Sequence, residues 1–182
     1  MILSDQIILR ELEQGKIIID PFNPAHLNPN SVDLTLAPAF KKYRPGLLDP
    51  RKPNLTDELW IPEEGYILLP GQVYLYACNE RIGVKNNIRA KVEGKSSLGR
   101  LGLFIHVTAG FIDTGFEGSL VLELVATRPI IVYPNMKICQ IEFARVEGDV
   151  LESYAQKTGS KYHGQTGVQE SKYHENYKDG NK

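Results

Sequence analysis

The chain has only two cysteines, Cys78 and Cys139, each alone inside an alternating apolar run. A disulfide framework is therefore not expected, and both read as small buried hydrophobes. Net charge is also missing: 21 Lys and Arg against 22 Asp and Glu leave a formal −1, so no global basic field draws nucleic acid. An anionic partner would have to find a local cluster. No apolar run approaches the roughly 20 residues of a membrane span. Met1-Ile2-Leu3 gives way at once to Ser4 and Asp5, too short and too polar for a secretory signal. These absences point to a cytoplasmic protein without membrane or nucleic-acid partners. Histidine is sparse, with His26, His106, His163 and His174 dispersed, and neither cysteine belongs to a Cys-x-x-Cys pair, so metal ligation is set aside.

What is present is a series of short apolar runs with a period of two. At 182 residues the chain is expected to form one domain, 1–182, with a real core. Ser4 suits the N-cap of a short helix that ends before Gly15, with Ile7, Ile8 and Leu12 on one side and Arg10, Glu11 and Glu13 elsewhere. Ile17-Ile18-Ile19 reads as a buried strand. Val32, Leu34 and Leu36 alternate with Ser31, Asp33 and Thr35 as on a half-buried one. Arg44 to Asp57, with three prolines among charges, reads as a loop. Further strands are expected at 66–69, 73–77 and 88–92, then at 103–107, 119–125, 129–133 and 136–144. Many short strands with Gly and Pro punctuation and almost no helical periodicity argue an antiparallel all-β sandwich or barrel. From about 155 to 182 the composition turns to Gly, Lys, Gln, Tyr and His, with Val168 the sole aliphatic residue after Gln156. Such a segment is either a frayed tail or an arm that folds over a ligand.

Polar residues interrupt this pattern at a few places. In Gly94-Lys95-Ser96-Ser97-Leu98-Gly99-Arg100-Leu101-Gly102, a short helical turn would put Ser96 and Arg100 on one side. Hydroxyls, amides and the guanidinium could then converge on an anion, although Ser, Gly and Arg also make ordinary connections. Glu123 is the sole polar residue in Leu120-Val121-Leu122-Glu123-Leu124-Val125. A carboxylate there is either paired, for example with Arg100, or desolvated, and desolvation raises its pKa toward a value useful for proton transfer. Asp113 precedes Thr114-Gly115 and either stabilises a turn or accepts from a ligand hydroxyl. Gln140, in Ile138-Cys139-Gln140-Ile141, needs a partner if buried. The His-x-Glu and Pro-Cys-x-x-Cys pattern of zinc deaminases is absent, as are a Walker lysine loop and a Gly-x-Ser-x-Gly elbow.

Together these residues carry a resemblance. Gly94 to Leu103, His106-Val107-Thr108-Ala109-Gly110-Phe111-Ile112-Asp113, Gly115-Phe116-Glu117-Gly118, Leu122-Glu123-Leu124, Pro134-Asn135-Met136-Lys137-Ile138-Cys139-Gln140 and Ser160-Lys161-Tyr162-His163-Gly164-Gln165 resemble the dCTP deaminase family of the dUTPase-like superfamily. The resemblance implies a distorted jelly-roll β-barrel with a short N-terminal helix, and an arm at about 155–182 that closes over the site. It implies that Lys95, Ser96, Ser97, Leu98, Gly99 and Arg100 hold the nucleotide, with Ser96 and Arg100 near the reacting centre. Asp113 would receive the deoxyribose 3′-hydroxyl. Glu123 would activate a water for attack at C4 of cytosine, and backbone around Thr108 and Ala109 would position that water. Val121 and Leu122 would flank the base, while Gln140, Tyr154, Lys161 and Gln165 would contact the nucleotide. Magnesium would accompany the triphosphate, without zinc, and the sites would be shared within a homotrimer. Lys95, Gly110-Phe111 and the tail look more like members that carry dCTP on to dUMP and pyrophosphate, for thymidine nucleotide synthesis, than like those that release dUTP. Members that release dUTP have histidine and arginine in the places of Gly110 and Phe111. Inhibition by dTTP is a further family trait. Asp113-Thr114-Gly115 and Pro134-Asn135-Met136 depart from the commoner Asp-Pro-Gly and Pro-Gly-Met at turn positions.

Overall fold

The computed structural model describes residues 1–177. Of the arm expected at about 155–182, residues 178–182 lie outside the described residues. Helix α1 (Asp5–Glu13) begins where expected: Ser4 is extended and its carbonyl accepts the first helical bond, from Ile8, at 2.8 Å, but its hydroxyl makes no cap. Gly15, at φ +66°, turns the chain out of the helix.

The strands follow as β1 (Ile17–Asp20), β2 (Leu27–Asn28), β3 (Ser31–Tyr43), β4 (Thr56–Trp60), β5 (Tyr66–Leu68), β6 (Tyr74–Val84) and β7 (Ile88–Gly94). After the short helix α2 (Ser96–Gly99) come β8 (Leu103–Phe104), β9 (Phe111–Ile112), β10 (Glu117–Ala126), β11 (Ile130–Val132) and β12 (Lys137–Arg145). Every described pairing is antiparallel. One curled sheet runs β8-β10-β6-β3-β12-β7-β9, and β5 with β11 forms a small second one. Strand β3 is the pivot. Its first half pairs with β12 and its second half with β6, with a shift of register between Leu36 and Phe40. Pro38 lies in that break, where a missing amide proton costs no ladder bond. A strand that changes partner in this way makes the corner of a jelly roll.

The core fills the inside of the curl with Leu34, Leu36, Tyr74, Tyr76, Leu122, Leu124, Ile141 and Phe143, all essentially inaccessible. Phe40 stacks on Tyr76 with ring centroids 4.6 Å apart. Cys78 and Cys139 are buried, as expected, with Sγ atoms 3.9 Å apart. No helix among the described residues is long and apolar enough to cross a membrane.

Four expectations need correction. Glu11 is buried, because α1 docks against the end of β12 and Arg145 reaches its carboxylate at 2.7 Å. Ser31 to Leu34 are all buried rather than alternating, since polar partners cover the outer face of β3. The loop from Arg44 gives way to β4 at Thr56, where the chain pairs with the far half of β3. The strand expected over 103–107 forms a ladder at Leu103 and Phe104 and one further bond, the Glu123 amide to the Ile105 carbonyl at 3.1 Å. It ends there because the Val107 amide bonds the Glu123 side chain instead of a strand carbonyl.

Candidate active site

Strand β10 shows the alternation its sequence demands. Leu120, Leu122, Leu124 and Ala126 face the core, while Ser119, Val121, Glu123 and Val125 stay half-buried on the other side. Over that second face lies a cavity of about 390 Å³, within the range of small-ligand sites. Leu120 to Glu123 line it from β10, so that the expected Val121 and Leu122 both reach it, Ala109 and Phe111 to Asp113 from the connection through β9, and Leu75 and Tyr43 from the strands alongside. The arm closes the far side with Tyr154, Tyr162, Gln165 and 169–171.

Glu123 pairs in register with Leu75 of β6, and its Oε2 accepts the Val107 amide at 3.1 Å. It is half-buried against an open cavity rather than desolvated, and it makes no ion pair with Arg100 among the described residues. The carboxylate thus has one backbone donor and one free oxygen, suited to holding a water or an amino group. Asp113 is exposed at the end of β9, and its side chain takes no part in a described bond. Its backbone carbonyl closes the turn by accepting the Phe116 amide at 3.1 Å. Thr114 anchors that turn through Oγ1 to the Ile88 carbonyl at 2.9 Å. Gly115, at φ +89°, lets the arm approach: a Cβ there would come within 2.6 Å of Ser153 Cβ.

The arm is docked through residue 177, not frayed. The Tyr154 amide bonds the Thr114 carbonyl at 2.8 Å, and the Tyr154 ring meets Phe116 at 5.8 Å. Gln165 pairs with Ser119 twice, accepting its amide at 2.9 Å and donating Nε2 to its carbonyl at 2.7 Å. Val168 packs against Leu75, Ala77 and Val121, so the tail's lone aliphatic residue is its apolar anchor.

The expected anion-binding turn lies apart from the cavity walls within one chain. Ser96, Ser97, Gly99 and Arg100 are exposed, and the Arg100 amide closes the turn on the Ser96 carbonyl at 3.1 Å. Leu98 packs on the core. Lys95 Nζ donates to Asp33 Oδ1 at 2.5 Å, and Lys137 reaches Asp33 Oδ2 at 3.2 Å. Burial pushes the Asp33 carboxyl up, but the two ammonium groups and Asn28 outweigh it and hold the group below the usual carboxylate range. Gln140 is engaged at both ends, accepting from Ser31 Oγ at 3.1 Å and donating to the Gly94 carbonyl at 3.1 Å. Lys161 turns back toward the Gly159 carbonyl at 3.4 Å, and Thr108 is exposed beside the cavity without lining it.

Tyr43, Gln169, Glu170 and Ser171 are walls that the sequence did not announce, whereas Tyr162 belongs to one of the quoted motifs. The strand signal faded after Leu36, which hid Tyr43, and nothing in a polar arm marks which residues face inward. Phe111 belongs to the quoted motif, and its exposed ring lies under the Arg89 guanidinium at 4.7 Å. An apolar floor with carboxylates and amides at its edge suits a flat heterocycle with polar substituents.

This curled antiparallel sheet, with a carboxylate-lined cavity under a C-terminal arm, places the chain in the all-β class. Within it, the chain belongs to the dCTP deaminase-like family, whose model matches residues 2–146. A protein of Clostridium botulinum (strain Alaska E43 / Type E3), "dCTP deaminase, dUMP-forming", is 45% identical over 171 residues, 94% of this chain and 95% of that protein. A "dCTP deaminase" of Haloarcula marismortui is 40% identical over 184 residues, 94% of each chain. The crystal structure of 2′-deoxycytidine 5′-triphosphate deaminase from Agrobacterium tumefaciens superposes with a TM-score of 0.63 at 26% identity. That match covers 78% of this chain and 47% of the other, so this chain spans about half of that longer one.

Proposed function

We propose that this chain hydrolyses dCTP in two steps at one site. Water first replaces the C4 amino group, giving dUTP and ammonia; a second water then splits dUTP into dUMP and pyrophosphate. The observation that carries this reading is Glu123, a carboxylate on an otherwise apolar strand, with its free oxygen on a cavity that Asp113 shares. Glu123 takes a proton as the water oxygen bonds C4 and returns it to the nitrogen that leaves as ammonia. Backbone near Thr108 and Ala109 positions the water, and Asp113 accepts from the sugar 3′-hydroxyl. Val121 and Leu122 flank the base. Tyr154, Lys161 and Gln165 contact the nucleotide from the arm.

Ser96, Ser97, Gly99 and Arg100 reach the nucleotide from a neighbouring subunit of a homotrimer, Ser96 and Arg100 near the reacting centre, while Lys95, Leu98 and Gln140 hold the base of that turn through their contacts within the chain. In support, the turn is exposed and the adjoining Leu101, Phe104 and Val107 are exposed apolar residues. Magnesium enters with the triphosphate, whose oxygens suit a hard cation. Among the described residues no three His, Cys, Asp or Glu side chains cluster to hold a metal. dTTP, with the same sugar and triphosphate, competes for the site. A cytoplasmic location fits substrates of this kind.

The dUMP-forming relatives support the second step, and so does Gly110. A Cβ there would come within 2.8 Å of the Val92 carbonyl oxygen, leaving no room for histidine on this backbone. Incubation with dCTP and magnesium, with products separated by ion exchange, tests the reading. Ammonia with equal amounts of dUMP and pyrophosphate is expected. Accumulating dUTP would remove the second step, and no turnover would remove both.

A further inference from the structure

Lys41 and Tyr43 lie two residues apart on β3 and so share a face. Both reach the arm. Lys41 Nζ donates to Glu170 Oε2 at 2.7 Å, and the Tyr43 hydroxyl accepts the Ser171 amide at 3.0 Å. The two arm residues are consecutive, and both line the cavity with Tyr43 itself. One residue further on, the Lys172 amide bonds the Tyr162 hydroxyl at 3.0 Å, tying the same stretch to another wall.

We propose that Lys41 and Tyr43 form a clasp that seats residues 169–171 as the outer wall of the nucleotide cavity and cancels the charge of that wall. They are positioning residues, and the inference rests on the cavity being a dCTP site. Glu170 is a third carboxylate, after Asp113 and Glu123, on the wall of a cavity meant for a polyanion. Left unpaired, it would repel the triphosphate; paired with Lys41, it contributes no net charge. The Lys41 side chain is 18% exposed and the Glu170 side chain 39%, so the pair is better shielded from salt than an open surface pair. The ammonium holds the Glu170 carboxyl below the usual carboxylate range, so it is ionised near neutrality. Burial raises the Tyr43 phenol against the pull of the Ser171 amide, and the negative charges of Glu170 and Glu123 add to that rise. Tyr43 is thus a neutral hydroxyl close to both carboxylates.

The test uses the full-length protein with magnesium and dCTP, reading KM, kcat and hydrogen–deuterium exchange across 160–177. Lys41→Glu should raise KM about tenfold, move kcat less, and expose the amides of 169–171. The swap of Lys41→Glu with Glu170→Lys should return KM to within about twofold and restore protection. Tyr43→Phe should raise KM about threefold by loss of one hydrogen bond. A KM and exchange pattern in Lys41→Glu equal to wild type overturns the clasp. So does a natively folded swap that fails to rescue. If wild-type protein does not turn over dCTP, the function proposed above fails, and loss and recovery of amide protection alone then decide the clasp.

Discussion

At Glu123 a carboxylate meets one backbone amide, from Val107, and an open cavity. Replacing it with glutamine keeps the shape and a carbonyl acceptor for that amide but removes the proton carrier. Glu123→Gln should lower kcat by about a thousandfold, within the span of a lost general base, while dissociation constants for dCTP stay within about threefold. Calorimetric titration beside rate measurement checks this. Equal losses of affinity and rate would make the residue structural. Glu123 was legible because it alone breaks an apolar strand. Its amide partner was not, since no sequence pattern says that Val107 will leave the ladder to bond a side chain. Asp33 escaped for a related reason: alternation placed it outward, and only the fold brings Lys95 and Lys137 over it.

Among the elements, α1 is held to β12 by a buried charge. Glu11 receives Arg145 at 2.7 Å, with Lys16 and Arg10 each at 3.4 Å. Burial pushes its carboxyl up, but the Arg145 hydrogen bond and the surrounding positive charges outweigh that and set the net shift downward. A carboxylate held lower in the folded than in the unfolded state stabilises above its unfolded value, near 4.3. That contribution fades as pH falls through the lower folded value. Glu11→Gln should therefore cost about 2 kcal/mol near neutral pH, or about 4–8 °C in Tm, and progressively less as pH drops below about 4. Thermal melts across that window check it; a pH-independent deficit would assign the loss to packing alone. The helix itself was readable from Ser4, the apolar spacing and Gly15, but helical spacing could not reveal that Glu11 faces inward. The arm was the least readable element. It docks through backbone bonds to Thr114, Glu117 and Ser119, which any side chains would permit, and only Val168 hints at an apolar seat.

For the whole molecule, strand periodicity and turn residues gave the antiparallel β class, while the pairing order could not be read. β3 changes partner at Pro38, and local pattern does not encode which distant strand it meets. The site separates in the same way: Asp113, Val121, Leu122, Glu123, Tyr154 and Gln165 meet in one chain, whereas the turn from Lys95 to Arg100 lies elsewhere. If neighbouring subunits complete each site, Arg100→Ala and Glu123→Gln chains, each inactive alone, should regain activity when refolded together. Random mixing in equal amounts would leave about one quarter of the sites with both native residues. No recovery in the mixed assemblies would place both residues in a single chain's site. Water attack at C4 followed by release of pyrophosphate is checked by turnover of magnesium–dCTP in heavy-oxygen water, with mass analysis of the nucleotide and of the pyrophosphate. The predicted product is dUMP carrying one heavy oxygen at C4, formed with ammonia and pyrophosphate, with a second heavy oxygen on the phosphate, of dUMP or of pyrophosphate, that takes up the second water. Recovery of unconverted dCTP, or of dUTP as the final nucleotide, would contradict it.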